Sequence, residues 1–204
     1  MGSYNLGIKK TVESVVWAKE LGVKMVTSWA LSKENLQNRS KLELGILFRL
    51  YRIASYDKNI RKIISSNGIR VNVIGELSLL PKSVIRALRS LEEYAAGNSS
   101  IIMNILICYS GKDDILSAVK DHRGKQYDKV GKGSSFRDSM LSRSIPDLDL
   151  IIRTSGEKRL SGFLPLQSTY AELYFTDKYW PEVQKKDLED AVAEFSSRKR
   201  RFGK

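Results

Sequence analysis

Strand and helix patterns that take turns along the 204 residues predict an α/β fold: a single domain with a mostly parallel central sheet and helices on both faces. Three observations carry this. Short apolar runs of strand length recur between segments with helical spacing. No internal repeat or low-complexity linker divides the chain. The run LDLIIR empties into a polar, glycine-containing loop, as strands of open parallel sheets do at the end where ligands bind.

The first helix is KKTVESVVWAKELG, which repeats apolar residues at Val12, Val15, Val16 and Leu21 and stops at Gly22. VKMVTSWAL (23–31) reads as a strand. NRSKLELGILFRLYRIASYDKNIRKIISSNG reads as one long helical stretch, with Ser40 as its cap and Gly68 as its stop. Leu44, Ile46, Leu47, Leu50, Ile53 and Ile63 put apolar groups on more than one of its faces, which suits a core or the lining of a tunnel. IRVNVIGEL alternates as a strand, and LPKSVIRALRSLEEYAAGN returns to helix with Pro81 near its start. IIMNILICYSG is a strand of the buried type, followed by a helix through KDDILSAVKDH. GKGSSFRDSMLSRSIPD is a loop with a short helix and LDLIIRTSG a strand. TYAELYFTDKYW contains another strand, and KKDLEDAVAEFSSRKRRFG closes the chain as a helix.

Composition narrows the function. Thirty-five Lys and Arg against 23 Asp and Glu leave a net charge of +12, which favours an anionic partner: nucleic acid, an anionic membrane surface or a phosphorylated small molecule. The single cysteine, Cys108, excludes an intrachain disulfide and points to a reducing compartment; inside an apolar run, it reads as a small core residue. No segment has the length of a membrane span, and MGSYNLGIKK has no apolar signal core, so the expected location is cytoplasmic. The only histidine, His122, has no cysteine or second histidine near it, which argues against a zinc centre. VGKGSS (130–135) fails as a phosphate-binding loop, because Gly133 follows Lys132 and Gln126 stands where the first glycine belongs. Nucleic acid is not an expected partner: no base-reading motif is present, and the basic residues of SRKRRFGK also suit a helix C-terminus.

The stretch IIRTSGEKRLSGF (151–163) remains. Arg153 and Arg159 are six apart, and a bend at Gly156 would bring both guanidinium groups to one point. With the hydroxyls of Thr154, Ser155 and Ser161 and the amides of a glycine turn, they suit a phosphate or diphosphate.

The block DLDLIIRTSGEKRLSGFLPLQSTYAELYFTDKYWPEV, followed by AEFSSRKRRFG, closely resembles the C-terminal signature of the cis-prenyltransferases, the undecaprenyl and polyprenyl diphosphate synthases. WALSKENLQNR (29–39) resembles that family's Ser-x-Glu-Asn segment, AGNSSIIMNILICYSGKDDI its Asn-bearing strand and following turn, and LGIKKTVESVVWAKELGVKMVT its first helix and second strand. The resemblance runs in order through residues 5 to 203. It implies condensation of isopentenyl diphosphate with an allylic diphosphate, forming each new double bond cis, with Mg2+ assisting departure of the allylic diphosphate. It further implies a dimer, as a homodimer or a heteromer with a related subunit, and a product tail that touches a membrane.

By matching position, the resemblance implies that Arg153, Arg159 and Ser161 hold the diphosphate of isopentenyl diphosphate, and that Glu172 is the glutamate lent across the dimer interface to magnesium. Ser32, Glu34 and Asn35 match the segment that positions substrate and moves the proton, and Arg39 stands for an arginine displaced from its usual place in the same segment.

The sequence also departs from the family pattern. The segment Asp-Gly-Asn-Arg-Arg, which carries the family's main magnesium-binding aspartate and its grip on the allylic diphosphate, does not occur in it, and Gly-His reads Ser3-Tyr4. An aromatic after Glu-Asn is Leu36, the usual Asn-Tyr-Gly-Gly-Arg reads Cys108-Tyr109-Ser110-Gly111-Lys112, and a tryptophan before Gln167 is Leu166. An active transferase and a non-catalytic accessory subunit of a heteromeric cis-prenyltransferase are both consistent with these departures.

Overall fold

The computed structural model describes residues 2–121 and 136–198, so the expectations for His122 and for VGKGSS (130–135) fall outside the described residues. Helix α1 (Gly2–Glu20) is followed by a turn through Gly22, whose φ of 81° places it in the left-handed region that ends helices. Strand β1 (Met25–Ser32) leads into the short helix α2 (Lys33–Asn38), and then α3 (Lys41–Tyr56) and α4 (Lys58–Ser66). β2 (Ile69–Ile74), α5 (Lys82–Ala95), β3 (Ile101–Tyr109) and α6 (Gly111–Asp121) continue the alternation; β4 (Leu150–Arg153), β5 (Glu172–Phe175) and α7 (Lys185–Ser197) complete it.

All strand pairs are parallel, in two sheets: β1-β3-β2, and β4-β5. One continuous sheet was expected; among the described residues no ladder joins β1 to β4. β2 presents Ile69, Val71 and Val73 to a core shared with α1, α3, α4 and α5, and Ile74 to the opposite face. On that opposite face, Trp29, Leu106 and Tyr109 pack with Ile145, Phe163 and Leu164 from the loops around the second sheet. Side-chain packing therefore joins the two sheets where backbone pairing does not. Across the first sheet, Asn72 donates to Asn104 at 2.9 Å and Asn104 donates to Thr27 at 3.1 Å, in the register that pairs those three residues. A polar rung of this kind is satisfied in one register only.

The expected long helix is two helices. Asp57 ends α3 and caps α4, its side chain accepting from the backbone of Asn59 and Ile60, both at 2.9 Å. Ser40 caps α3 in a reciprocal capping box with Glu43, whose carboxyl is held below its usual range by the Ser40 hydrogen bonds. Leu47, Tyr51, Ile60 and Ile64 go into the core, while Leu42 and Ile53 stay 76% and 51% exposed, which divides the apolar faces noted in the sequence. Pro81 stands just before α5, and Gly68, with φ of 62°, just after α4.

Candidate active site at the strand C-termini

Two glycines shape the end of the first sheet. At Gly75 (φ 144°) a Cβ would lie 1.8 Å from the Ile107 carbonyl oxygen, so the chain leaving β2 can run this close to the end of β3 only because this position has no side chain. A Cβ on Gly111 would lie 2.3 Å from the Gly162 carbonyl oxygen and 2.3 Å from Pro165. That close approach brings the start of α6, after β3, against the loop after β4. Trp29 of β1 reaches the same loop, its ring 5.7 Å from Phe163. The C-terminal ends of both sheets consequently open toward one region, as in open α/β folds that bind ligands there.

On the β1 side, Ser32 is buried and caps α2, its hydroxyl accepting from the Asn35 amide at 3.0 Å. Glu34 and Asn35 are exposed, and the Arg39 amide closes the turn on the Asn35 carbonyl at 3.0 Å. α2 was not legible as a helix, although a serine followed by Lys-Glu-Asn carries the cap signal that Ser32 fulfils.

On the β4 side, Arg153 ends the strand half-buried, and its side chain makes no hydrogen bond or ion pair among the described residues. The loop bends through Ser155 and Gly156, both with φ of 70°, and is pinned to the far side of β5 by the Ser155 and Gly156 amides donating to the Lys178 and Thr176 carbonyls at 2.9 and 3.0 Å. Ser161 is exposed with φ of 52°. Arg159 does not share a partner with Arg153 as the six-residue spacing suggested; its exposed guanidinium is taken by Glu157 two residues away. The physical reason is local: Glu157, two residues away in the same loop, attracts the exposed guanidinium.

Glu172 lies elsewhere. It begins β5 opposite Leu150, whereas Arg153 pairs with Phe175, so it stands three residues back along parallel strands, roughly 10 Å from the end that carries Arg153. Its carboxylate is 2.5 Å from Arg198, which also pairs with Glu194. Among the described residues no group of three acidic, cysteine or histidine side chains is gathered that could hold a metal ion. The groove of about 470 Å³ lined in part by Met25, Arg70, Asn72, Arg89 and Arg143 contains none of the predicted site residues.

Sequence reasoning missed the salt-bridge cluster beside Ser32. Lys33 Nζ lies 2.7 Å from Glu76 and 2.6 Å from Asp113, and these two hydrogen bonds, Asp113's the stronger, raise the proton affinity of its amine. Cys108 sits fully buried beside this cluster with φ of 51°; burial, with a smaller contribution from Glu76, pushes its thiol up to about 11.

The family model described as undecaprenyl diphosphate synthase matches residues 1–203. The chain is 40% identical over 204 residues to a tritrans,polycis-undecaprenyl-diphosphate synthase (geranylgeranyl-diphosphate specific) of Thermoplasma volcanium, an alignment covering 97% of this chain and 78% of that protein. It is 38% identical over 210 residues to isoprenyl transferase 1 of Corynebacterium glutamicum, covering 98% and 91%. Lavandulyl diphosphate synthase from Lavandula x intermedia, solved in complex with dimethylallyl diphosphate, superposes with a TM-score of 0.85 at 31% identity, covering 98% of this chain and 87% of that one. The chain belongs to the undecaprenyl diphosphate synthase family and is a prenyltransferase of the polyprenyl diphosphate synthase type. No comparison favours the accessory-subunit reading over this one. Among the described residues, no helix is long and apolar enough to cross a membrane.

Proposed function

We propose that the chain condenses isopentenyl diphosphate with an allylic diphosphate, and that the loop from Arg153 to Ser161 receives the diphosphate of isopentenyl diphosphate. The observation that supports this most is Arg153 itself: a half-buried guanidinium without a side-chain partner among the described residues, at the strand end where both sheets open. A half-buried fork-shaped cation that need not give up an ion pair with another described residue can take a diphosphate in two parallel charge-assisted bonds. Arg159 joins it by exchanging Glu157 for phosphate oxygens, and Ser161 adds a hydroxyl.

The reaction breaks the allylic carbon–oxygen bond, forms a carbon–carbon bond to isopentenyl diphosphate, and releases a proton and diphosphate. Ser32, Glu34 and Asn35 stand at the end of β1, where the proton would leave; Ser32, fixed by its cap on Asn35, is the most ordered of the three. Arg39, at the end of α2, is a second anion contact. Magnesium belongs to this reading as a cofactor that arrives with the substrate diphosphate, because a hard cation takes phosphate oxygens and needs few carboxylates. Glu172, remote from Arg153 within one chain, is proposed to serve a neighbouring copy, making the working form a dimer. A cytoplasmic protein whose polyprenyl product touches the membrane completes the picture.

The test is incorporation of labelled isopentenyl diphosphate into solvent-extractable product, with geranylgeranyl diphosphate as first primer because the Thermoplasma relative's name specifies it. Label should enter product with magnesium present and stop with a chelator. No incorporation with any allylic primer would refute the proposal.

A further inference from the structure

Lys33 has no counterpart among the roles that the resemblance assigns. It is the first residue of α2, between Ser32 and the pair Glu34-Asn35, and its side chain is only 20% exposed. Its two acidic partners come from different connections: Glu76 follows β2, and Asp113 lies in the first turn of α6, directly after β3. One ammonium thus ties together the chain leaving all three strands of the first sheet, at their C-terminal ends.

α2 needs such a tie. It is six residues long and none of its side chains is fully buried, so its own packing fixes it weakly. Leu36 packs partly buried against the first core, and the start of the helix is held in addition by the Ser32 cap and the Lys33 clamp. Without the cation, Glu76 and Asp113 would also face each other unneutralised beside a site that receives anions, which disfavours binding there.

We propose that Lys33 is a positioning residue for the prenyl transfer, holding α2 against the ends of β2 and β3 so that Ser32 and Asn35 keep a fixed place at the reaction centre. This rests on the function proposed above. In this role Lys33 acts through α2, its ammonium held by the two neighbouring carboxylates, and not by contacting substrate.

The experiment compares the full chain with Lys33→Met and Lys33→Arg by hydrogen exchange and by steady-state kinetics with isopentenyl and geranylgeranyl diphosphates. In Lys33→Met, amides of residues 34–39 should exchange about tenfold faster while those of β3 and α5 keep their protection, which also shows that the variant is folded. Its kcat should fall by about tenfold with the KM for isopentenyl diphosphate within about twofold, and Lys33→Arg should recover most of both losses. Unchanged exchange in α2 would overturn the proposal, as would a raised KM at unchanged kcat, which would make Lys33 a direct substrate contact. Failure of the functional proposal is separable: the wild-type chain would show no turnover, while the exchange measurement would still decide the role of Lys33 in holding α2.

Discussion

At the scale of single residues, Arg153 and Cys108 represent opposite environments, one a half-buried cation at a strand end and the other a fully buried thiol. Arg153→Ala and Arg159→Ala should each weaken isopentenyl diphosphate binding by about tenfold or more, because one charge-assisted contact to a sequestered diphosphate is worth roughly 1.5–3 kcal/mol. Calorimetry on both variants checks this, and the allylic substrate should be affected less. Cys108 predicts the opposite kind of result, inertness. Its thiol is fully buried and pushed up to about 11, so at pH 8 it is protonated and sheltered. A thiol-specific reagent should leave the native protein unmodified and label it fully in denaturant; rapid labelling of the native protein would mean the β3 end opens readily. The basic residues were legible in the sequence because strand end, glycine and arginine stand consecutively. The Lys33 cluster was not, because Glu76 and Asp113 lie 43 and 80 positions away and only the parallel pairing of β1, β3 and β2 brings them together.

At the scale of elements, apolar periodicity located the five strands found among the described residues and the principal helices, since buried parallel strands are continuous apolar runs. What it could not show was the break at Asp57. Apolar spacing continues through that position, and an aspartate inside a helix pattern and an aspartate capping a new helix look alike until its side chain is seen accepting from Asn59 and Ile60. Asp57→Ala should therefore cost about 1 kcal/mol in denaturant unfolding, as the loss of a cap does. Gly75→Ala should cost more, roughly 2–3 kcal/mol, because the new methyl group meets the Ile107 carbonyl and the backbone is held at a glycine conformation. Equal stability of Gly75→Ala and wild type would show that the β2 end can relax away from β3. The capping box of Ser40 and Glu43 adds a pH dependence of known sign. With the Glu43 carboxyl held below its unfolded value, its contribution is present above that value and fades as pH falls through the lower folded one, so this helix start weakens only in acid.

At the scale of the whole molecule, the two parallel sheets place the basic loop and Glu172 at different ends of β4 and β5, a separation that no sequence pattern reveals because both residues lie in one matching block. The proposed dimer gives this separation a use. If one copy supplies Glu172 to the other's diphosphate site, Arg153→Ala and Glu172→Gln chains, each impaired alone at subsaturating isopentenyl diphosphate, should rise to at least about a quarter of wild-type turnover when refolded together in equal amounts, since half of the dimers are mixed and carry one intact site. No recovery would mean that each site takes both groups from a single chain. The +12 charge extends beyond that site: Arg70, Arg89 and Arg143 line a separate groove that also faces solvent, so basic character alone does not identify where an anion binds. The most direct test is therefore a crystal structure of the chain with isopentenyl diphosphate. The diphosphate should lie in the loop after β4, accepting hydrogen bonds from Arg153 and Ser161, with Arg159 turned away from Glu157 to join them. A diphosphate seated in the Arg70, Arg89 and Arg143 groove, with the loop after β4 empty, would contradict it.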